Sequence, residues 1–68
     1  MVFIRMIGEV KAIDNEIGCL KIEDKDGGIY MIKAEANQLS GISLGDKVDI
    51  EVEWARGKAS SIKRIGKA

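Results

Sequence analysis

The sequence has almost none of the residues on which metal sites, disulfides and catalytic centres depend. Its 68 residues include no histidine, no proline and a single cysteine, Cys19. One cysteine cannot form a disulfide within the chain, and without histidine a mixed nitrogen and sulfur zinc site is not available. No Ser/His/Asp set, P-loop or dinucleotide motif is present, so we expect no enzymatic activity, metal or cofactor.

Long apolar runs and an excess of one charge are also missing. The apolar start, MVFIRMIGEV, is interrupted by Arg5 and Glu9 and is too short for a membrane span. Eleven basic residues balance eleven acidic ones, which argues against a polybasic DNA binder. The lone cysteine fits a reducing compartment, and we expect a cytoplasmic protein that does not contact a membrane.

Period-two alternation dominates what remains and predicts β-strands. Val48, Ile50 and Val52 alternate with charged residues before Trp54, and Leu20 and Ile22 alternate in the same way. Gly8 predicts a bend within a long first strand. The stretches DNEIG, DKDGG and RGK are typical of turns. For the third strand, from Ile29 to Ala34, both faces are partly apolar and the register stays open.

One segment, AEANQLSGISLGD, breaks the alternation and predicts a short helix followed by an inward plug of Leu39, Ile42 and Leu44. The predicted order is three strands, a short helix and two strands. This order matches an all-β, five-stranded OB-like Greek-key barrel. The whole chain, residues 1–68, is expected to form one domain, with residues 65–68 as a frayed tail.

The run GEVKAID…GCLKIEDKDG…LSGISLGDKVDIEV…GKASSI resembles small bacterial and archaeal OB-fold modules, including copper-chaperone modules of the CusF type and molybdate-binding Mop-type domains. The copper modules use a His, two Met and a Trp close in sequence, whereas this chain has no His and no Met near Trp54. The Mop-type domains carry S-A-R-N and I-T-x-x-S stretches where this chain has VFIRMIG and IKAEANQ. The resemblance implies the fold and transfers no ligand-binding residue.

Trp54 has two interpretations. It follows Val48, Ile50 and Val52 in phase, and this alternation favours a core position at the end of the barrel. It also precedes the basic turn around Arg56 and Lys58, in the loop with which OB-folds often meet ligands. In the second interpretation its ring is exposed and can stack on a base.

The leading functional hypothesis is modest-affinity binding of single-stranded RNA or DNA. The candidate residues combine possible stacking rings with cations on the strands and loop that OB-folds use: Trp54, Arg56, Lys58, Lys21, Lys33 and Tyr30. Against this hypothesis, few aromatic residues interleave with the cations, and the loop between the second and third strands is acidic. The basic C-terminal residues can instead pair with Asp49, Glu51 and Glu53 across a hairpin.

Two other functions remain open. If Val2, Ile4 and Met6 face the core, Phe3 and Ile7 face outward around Arg5 and suggest a surface for a protein partner or a homo-oligomer. In the alternative, the chain itself covers both sides of the first strand. A barrel that binds a small oxyanion at an oligomer interface is the third possibility.

Overall fold

A computed structural model describes residues 2–67, which form five strands and one short helix. The sequence-based prediction of an all-β chain with a helix between the third and fourth strands is confirmed. The elements are β1 (Phe3–Asp14), β2 (Cys19–Glu23), β3 (Ile29–Lys33), α1 (Ala36–Leu39), β4 (Lys47–Glu53) and β5 (Lys58–Gly66). No helix within these residues is long and apolar enough to cross a membrane.

All five strands belong to one sheet, in the order β1-β2-β3-β5-β4. β1 pairs with β4 from Phe3 to Glu9 and with β2 from Glu9 to Asp14, so it connects the two ends of the strand order. Four of the pairings are antiparallel. β3 and β5 are parallel and meet at a single pair, Lys33 with Lys58, which makes this the weakest seam of the sheet.

The core lies on the inner face of this curved sheet. The alternation in β2 and β4 is confirmed, because Leu20, Ile22, Val48, Ile50 and Val52 are all buried. Removing these apolar side chains from water supplies most of the driving force for folding. The remaining buried apolar residues are Val10, Ile32, Ala34, Leu39 and Ala59.

β1 curves because its first part pairs with β4 and its second part pairs with β2. Gly8 lies where β1 passes close to β2, because an added Cβ there would lie 2.7 Å from the carbonyl oxygen of Glu23. A β-bulge follows between Val10 and Ala12. A bulge increases local twist and bending, so β1 can leave β4 and continue beside β2.

The short helix α1 covers one end of the core. Glu35 and Gln38 form a capping box, and Gln38 also donates from Nε2 to the Ala59 carbonyl of β5 at 3.1 Å. Leu39 is buried and Ile42 packs against the core, as the plug prediction required. The prediction for Leu44 is wrong, because this residue lies in the turn before β4 and its side chain is exposed.

The C-terminal segment continues the sheet further than the sequence indicated. Ile65 and Gly66, for which the sequence predicts a frayed tail, lie in β5, and Gly66 pairs with Lys47. Lys67 follows the strand, and Ala68 lies outside the described residues.

Candidate ligand-binding surface

Trp54 is exposed, so the favoured core interpretation of this residue is wrong. β4 ends at Glu53, and Trp54 begins the turn of residues 54–57. Its backbone N–H donates to the Val2 carbonyl at 3.0 Å, while 59% of the residue remains accessible. Alternation predicts the face of a side chain only within a regular strand, and β4 ends one residue before Trp54.

Arg56 lies in the same turn and Lys58 directly follows it, and each has an acidic neighbour. Arg56 Nε lies 3.5 Å from Glu53 Oε1, and Lys58 Nζ lies 3.1 Å from Glu35 Oε1. Both cations and the Glu35 carboxylate are exposed, whereas the Glu53 side chain is only 17% accessible, and ion pairs with an exposed member at the surface are weak. The two cations can therefore turn to an anionic ligand, although part of their charge is already compensated.

Lys21 and Lys33 lie on a second part of the surface, the β2–β3 outer face. This face consists of the residues that alternate with the buried ones of the two strands: Cys19, Lys21, Glu23, Ile29, Met31 and Lys33. Within residues 2–67, neither Lys21 nor Lys33 forms an ion pair. Met31 pairs with Lys21 and is 66% exposed.

The turn and the β2–β3 outer face are joined by the seam between β3 and β5. Lys33 donates its backbone N–H to the Gly57 carbonyl at 2.9 Å, and its Cα partner in β5 is Lys58. The turn that carries Trp54 is thus fixed to the end of β3. The surface formed by Lys21, Met31, Lys33 and residues 54–58 combines an indole with cations on adjoining elements.

Tyr30 does not belong to this surface. Its Cα partner is Ile22, which is buried, so Tyr30 shares the face of the core residues and not that of Lys21 and Lys33. It lines a cavity of about 290 Å³ with Asp24 and residues 4–7 of β1. The register of β3, which alternation leaves open, puts Met31 and not Tyr30 beside Lys21 on the outer face.

Phe3 and Ile7 lie on another face, where β1 pairs with β4. They are 46% and 43% exposed, so the described chain does not cover both sides of β1. Between them Arg5 forms a forked contact with Asp49, from Nε to Oδ1 at 2.9 Å and from Nη2 to Oδ2 at 2.6 Å. Ile7 and Arg5 also line a cavity of about 580 Å³ that extends to the acidic loop after β2.

Two charge contacts made by residues of β1 shift pKa values. The hydrogen bond from Arg5 lowers the pKa of Asp49, and the same contact raises the pKa of Arg5. Lys11 donates to Glu9 at 2.7 Å, which lowers the pKa of Glu9 and raises that of Lys11. These four groups therefore already have partners of opposite charge.

The basic residues of β5 are less available than their number suggests. Lys63 is opposite Asp49 in the register, as the predicted hairpin pairing requires, but Asp49 bonds to Arg5. Arg64 Nη1 donates to the Gly41 carbonyl at 3.3 Å and lies 4.0 Å from Asp46 Oδ2. In the part of the chain that the structure describes, no three His, Cys, Asp or Glu residues are grouped as a metal site.

Comparisons with protein-family models, with curated proteins and with solved structures found no match to this chain. The case for a function therefore depends on the residues themselves.

Proposed function

We propose that this chain is an OB-like barrel that binds single-stranded RNA or DNA with modest affinity and without catalysis. The proposed site is the β2–β3 outer face together with the turn between β4 and β5. The observation that carries the proposal is the exposed indole of Trp54, on a turn bonded to Lys33 through Gly57.

The chemistry of a single strand fits this combination of groups. One face of a base can stack on the indole, which contributes about 1–3 kcal/mol per base. Lys33 and Lys21 supply ammonium groups for phosphates, and Arg56 and Lys58 add two more when they leave their carboxylates. Met31, between the lysines, offers an apolar contact for a second base.

Modest affinity follows from the charge balance. The chain has a formal net charge of zero, so long-range attraction of a polyanion is weak. With four phosphate contacts, one for each of these cations, the logarithm of the binding constant should fall with the logarithm of salt with a slope of about −3. This shallow salt dependence would distinguish the site from a polybasic surface.

The test is a titration of fluorescently labelled oligo-dT and oligo-U, followed by anisotropy at low salt. Trp54→Ala should weaken binding by about tenfold or more, because the stacking contribution is lost. Lys33→Ala should weaken it less and reduce the salt slope by about 0.7. Lys63→Ala is the matched control, since it removes a cation from a different face.

Folding must be checked beside binding. Trp54→Ala should change the free energy of unfolding by less than about 1 kcal/mol, since the indole is mostly in water. Absence of binding at low salt would contradict the proposal. So would equal affinities for Trp54→Ala and Lys63→Ala.

A second candidate function is supported by the exposure of Phe3 and Ile7 on one strand face. Here the β1–β4 face would bind a protein partner, with Arg5 and Asp49 as a polar centre between two apolar contacts. Phe3→Ser with Ile7→Ser would then abolish the interaction and leave oligonucleotide binding unchanged.

A further inference from the structure

β3 has one edge that is almost without a partner. Through its whole length, Ile29 to Lys33, it pairs with β2 on one side. On the other side, within residues 2–67, it pairs only at Lys33, with Lys58 of β5. Residues 29–31 therefore present a free strand edge next to the seam of the sheet.

The direction of the backbone groups along this edge follows from two hydrogen bonds. Lys33 donates its N–H to Gly57, away from β2, and Asp24 donates to the Gly28 carbonyl across the β2–β3 hairpin. In an antiparallel pair these directions alternate from residue to residue. The backbone groups of Tyr30 therefore bond to β2, whereas those of Ile29 and Met31 point away from β2, like the N–H of Lys33. The free edge thus offers two N–H donors and two carbonyl acceptors.

This edge lacks most of the features that prevent strands from pairing with other chains. The sequence has no proline, and the pairing of β2 with β3 contains no bulge. The three edge residues are Ile29, Tyr30 and Met31, all uncharged, and Ile29 and Met31 are 52% and 66% exposed. Natural edge strands are usually protected by charged residues, prolines or bulges, and otherwise by being short.

We infer that a second copy of this chain pairs with the free edge of β3, antiparallel and with Tyr30 opposite the partner's Tyr30. This register sets Ile29 opposite the partner's Met31 and Met31 opposite the partner's Ile29. Both pairs then exchange their outward N–H and carbonyl groups, which makes four hydrogen bonds. If the pairing were centred on Met31 instead, Ile29 would have to accept a hydrogen bond from the N–H of the partner's Lys33, but in each copy this N–H is already bonded to Gly57.

Charge complementarity favours a second copy as the occupant. The same register brings Lys33 of each chain opposite the partner's Gly27, in the loop where Asp24 and Asp26 outnumber Lys25. The two-fold symmetry repeats this contact at both ends of the short ladder. Side chains match as well, because Ile29 and Met31 form apolar cross-strand pairs on the outer face.

The inference does not rest on nucleic-acid binding, which uses side chains that remain on the outer face in either state. Only three residues per chain join the ladder, so the dimer should be weak and should depend on protein concentration. The two β2–β3 outer faces would become one continuous surface in the dimer.

Cysteine crosslinking tests the register directly. In a Cys19→Ser background, Tyr30→Cys places two thiols on a directly opposed, non-hydrogen-bonded pair, where Cα atoms are about 4.5 Å apart and a disulfide can form. Ile29→Cys and Met31→Cys are matched controls, because like residues would be roughly 8 Å apart, from the rise along a strand and the strand spacing. We expect a disulfide dimer for Tyr30→Cys and little for the controls under mild oxidation.

Light scattering and sedimentation of the reduced protein test the hydrogen bonds. Met31→Pro removes an outward N–H without removing a bond to β2, and edge strands tolerate proline at such positions. Met31→Thr keeps the N–H and loses much of the same apolar surface. We expect Met31→Pro to raise the dimer dissociation constant by about tenfold or more relative to Met31→Thr.

Three results would overturn the inference. One is a monomer at all accessible concentrations. Another is crosslinking at residues 29, 30 and 31 with equal rates, which would indicate random collision. The third is a dimer that Phe3→Ser with Ile7→Ser abolishes and Met31→Pro leaves intact, since that dimer would use the β1–β4 face. The crosslinking experiment keeps the test decisive even where Met31→Pro fails to fold.

Discussion

Arg5 determines how charge is arranged on the face where β1 meets β4. Its Cα partner is Glu51, yet its guanidinium reaches diagonally to both carboxylate oxygens of Asp49. The fork of a guanidinium matches a carboxylate in a way that a single ammonium group does not. Lys63 of β5 is opposite Asp49, and its positive charge lowers the pKa of Asp49 less than the contact with Arg5 does.

Arg5→Gln should raise the pKa of Asp49 toward the ordinary value of an aspartate, because the largest cause of the lowered pKa is the hydrogen bond from Arg5. The measurement is an NMR titration of the Asp49 carboxyl carbon. Lys63→Gln is the control and should move this pKa less, since Lys63 acts only through its charge and is the smallest contributor. Equal shifts in both variants would contradict this assignment.

The same contact has a consequence for stability against pH. The pKa of Asp49 is lower in the folded chain than in the unfolded chain, so the unfolded state binds more protons as the pH falls. The contribution of the contact is therefore present above the unfolded pKa and is lost as pH falls through the folded pKa. Wild type and Arg5→Gln should differ in stability at neutral pH and converge in acid.

At the scale of elements, the close approach of β1 to β2 depends on the absence of a side chain at Gly8. A Cβ there would lie 2.7 Å from the Glu23 carbonyl oxygen, a backbone atom that cannot rotate away. Gly8→Ala should therefore force β1 and β2 apart where they converge. We expect a loss of about 1–3 kcal/mol in the free energy of unfolding, as for other overpacked sites.

Urea denaturation of Gly8→Ala and of Gly66→Ala provides the comparison. Gly66 also lies in a strand, but its added Cβ would meet only the Lys47 Cβ at 3.4 Å, an ordinary contact. The control should lose clearly less stability than Gly8→Ala. If both variants lost the same amount, the cause would be glycine replacement in a strand and not the close approach of β1 to β2.

The elements differ in how well the sequence predicted them, and the reason is local regularity. β2 and β4 each bury one face completely, so Leu20, Ile22 and Ile50 could be placed in the core from alternation alone. β3 buries only Ile32, because a free edge leaves both of its faces partly in water. Alternation predicts a core position for Trp54, which is wrong because β4 ends at Glu53 and no residue type at that point marks the end of the strand.

At the scale of the whole molecule, the sheet is held unevenly around its circumference. β1 shares long ladders with β2 and β4, whereas β3 and β5 share one residue pair, and α1 supports β5 through Gln38. The order of elements could be predicted from the sequence, but the position of this seam could not. The seam lies where the end of β3, at Lys33, meets the start of β5, after Gly57. Which residues of two distant strands meet is a matter of long-range register.

A chain of 68 residues has a thin core and a small margin of stability, so even a weak interface should be measurable in its unfolding. If β3 pairs with a second copy, folding is linked to association, and the thermal midpoint should rise with protein concentration. Because each association uses two copies of the chain, a total concentration about a hundredfold above the dissociation constant adds about 1.5 kcal/mol per chain. For so small a domain this corresponds to a rise of several degrees in Tm.

Calorimetry of wild type and Met31→Pro over the same concentrations measures this linkage. The Tm of the wild type should rise with concentration, whereas that of Met31→Pro should stay nearly constant because the edge donor is missing. Met31→Thr, which keeps the donor, should behave like the wild type with a smaller rise. A wild-type Tm that did not change with concentration would show that the free edge of β3 remains in water when the chain folds, and the short length of the edge would then be its protection.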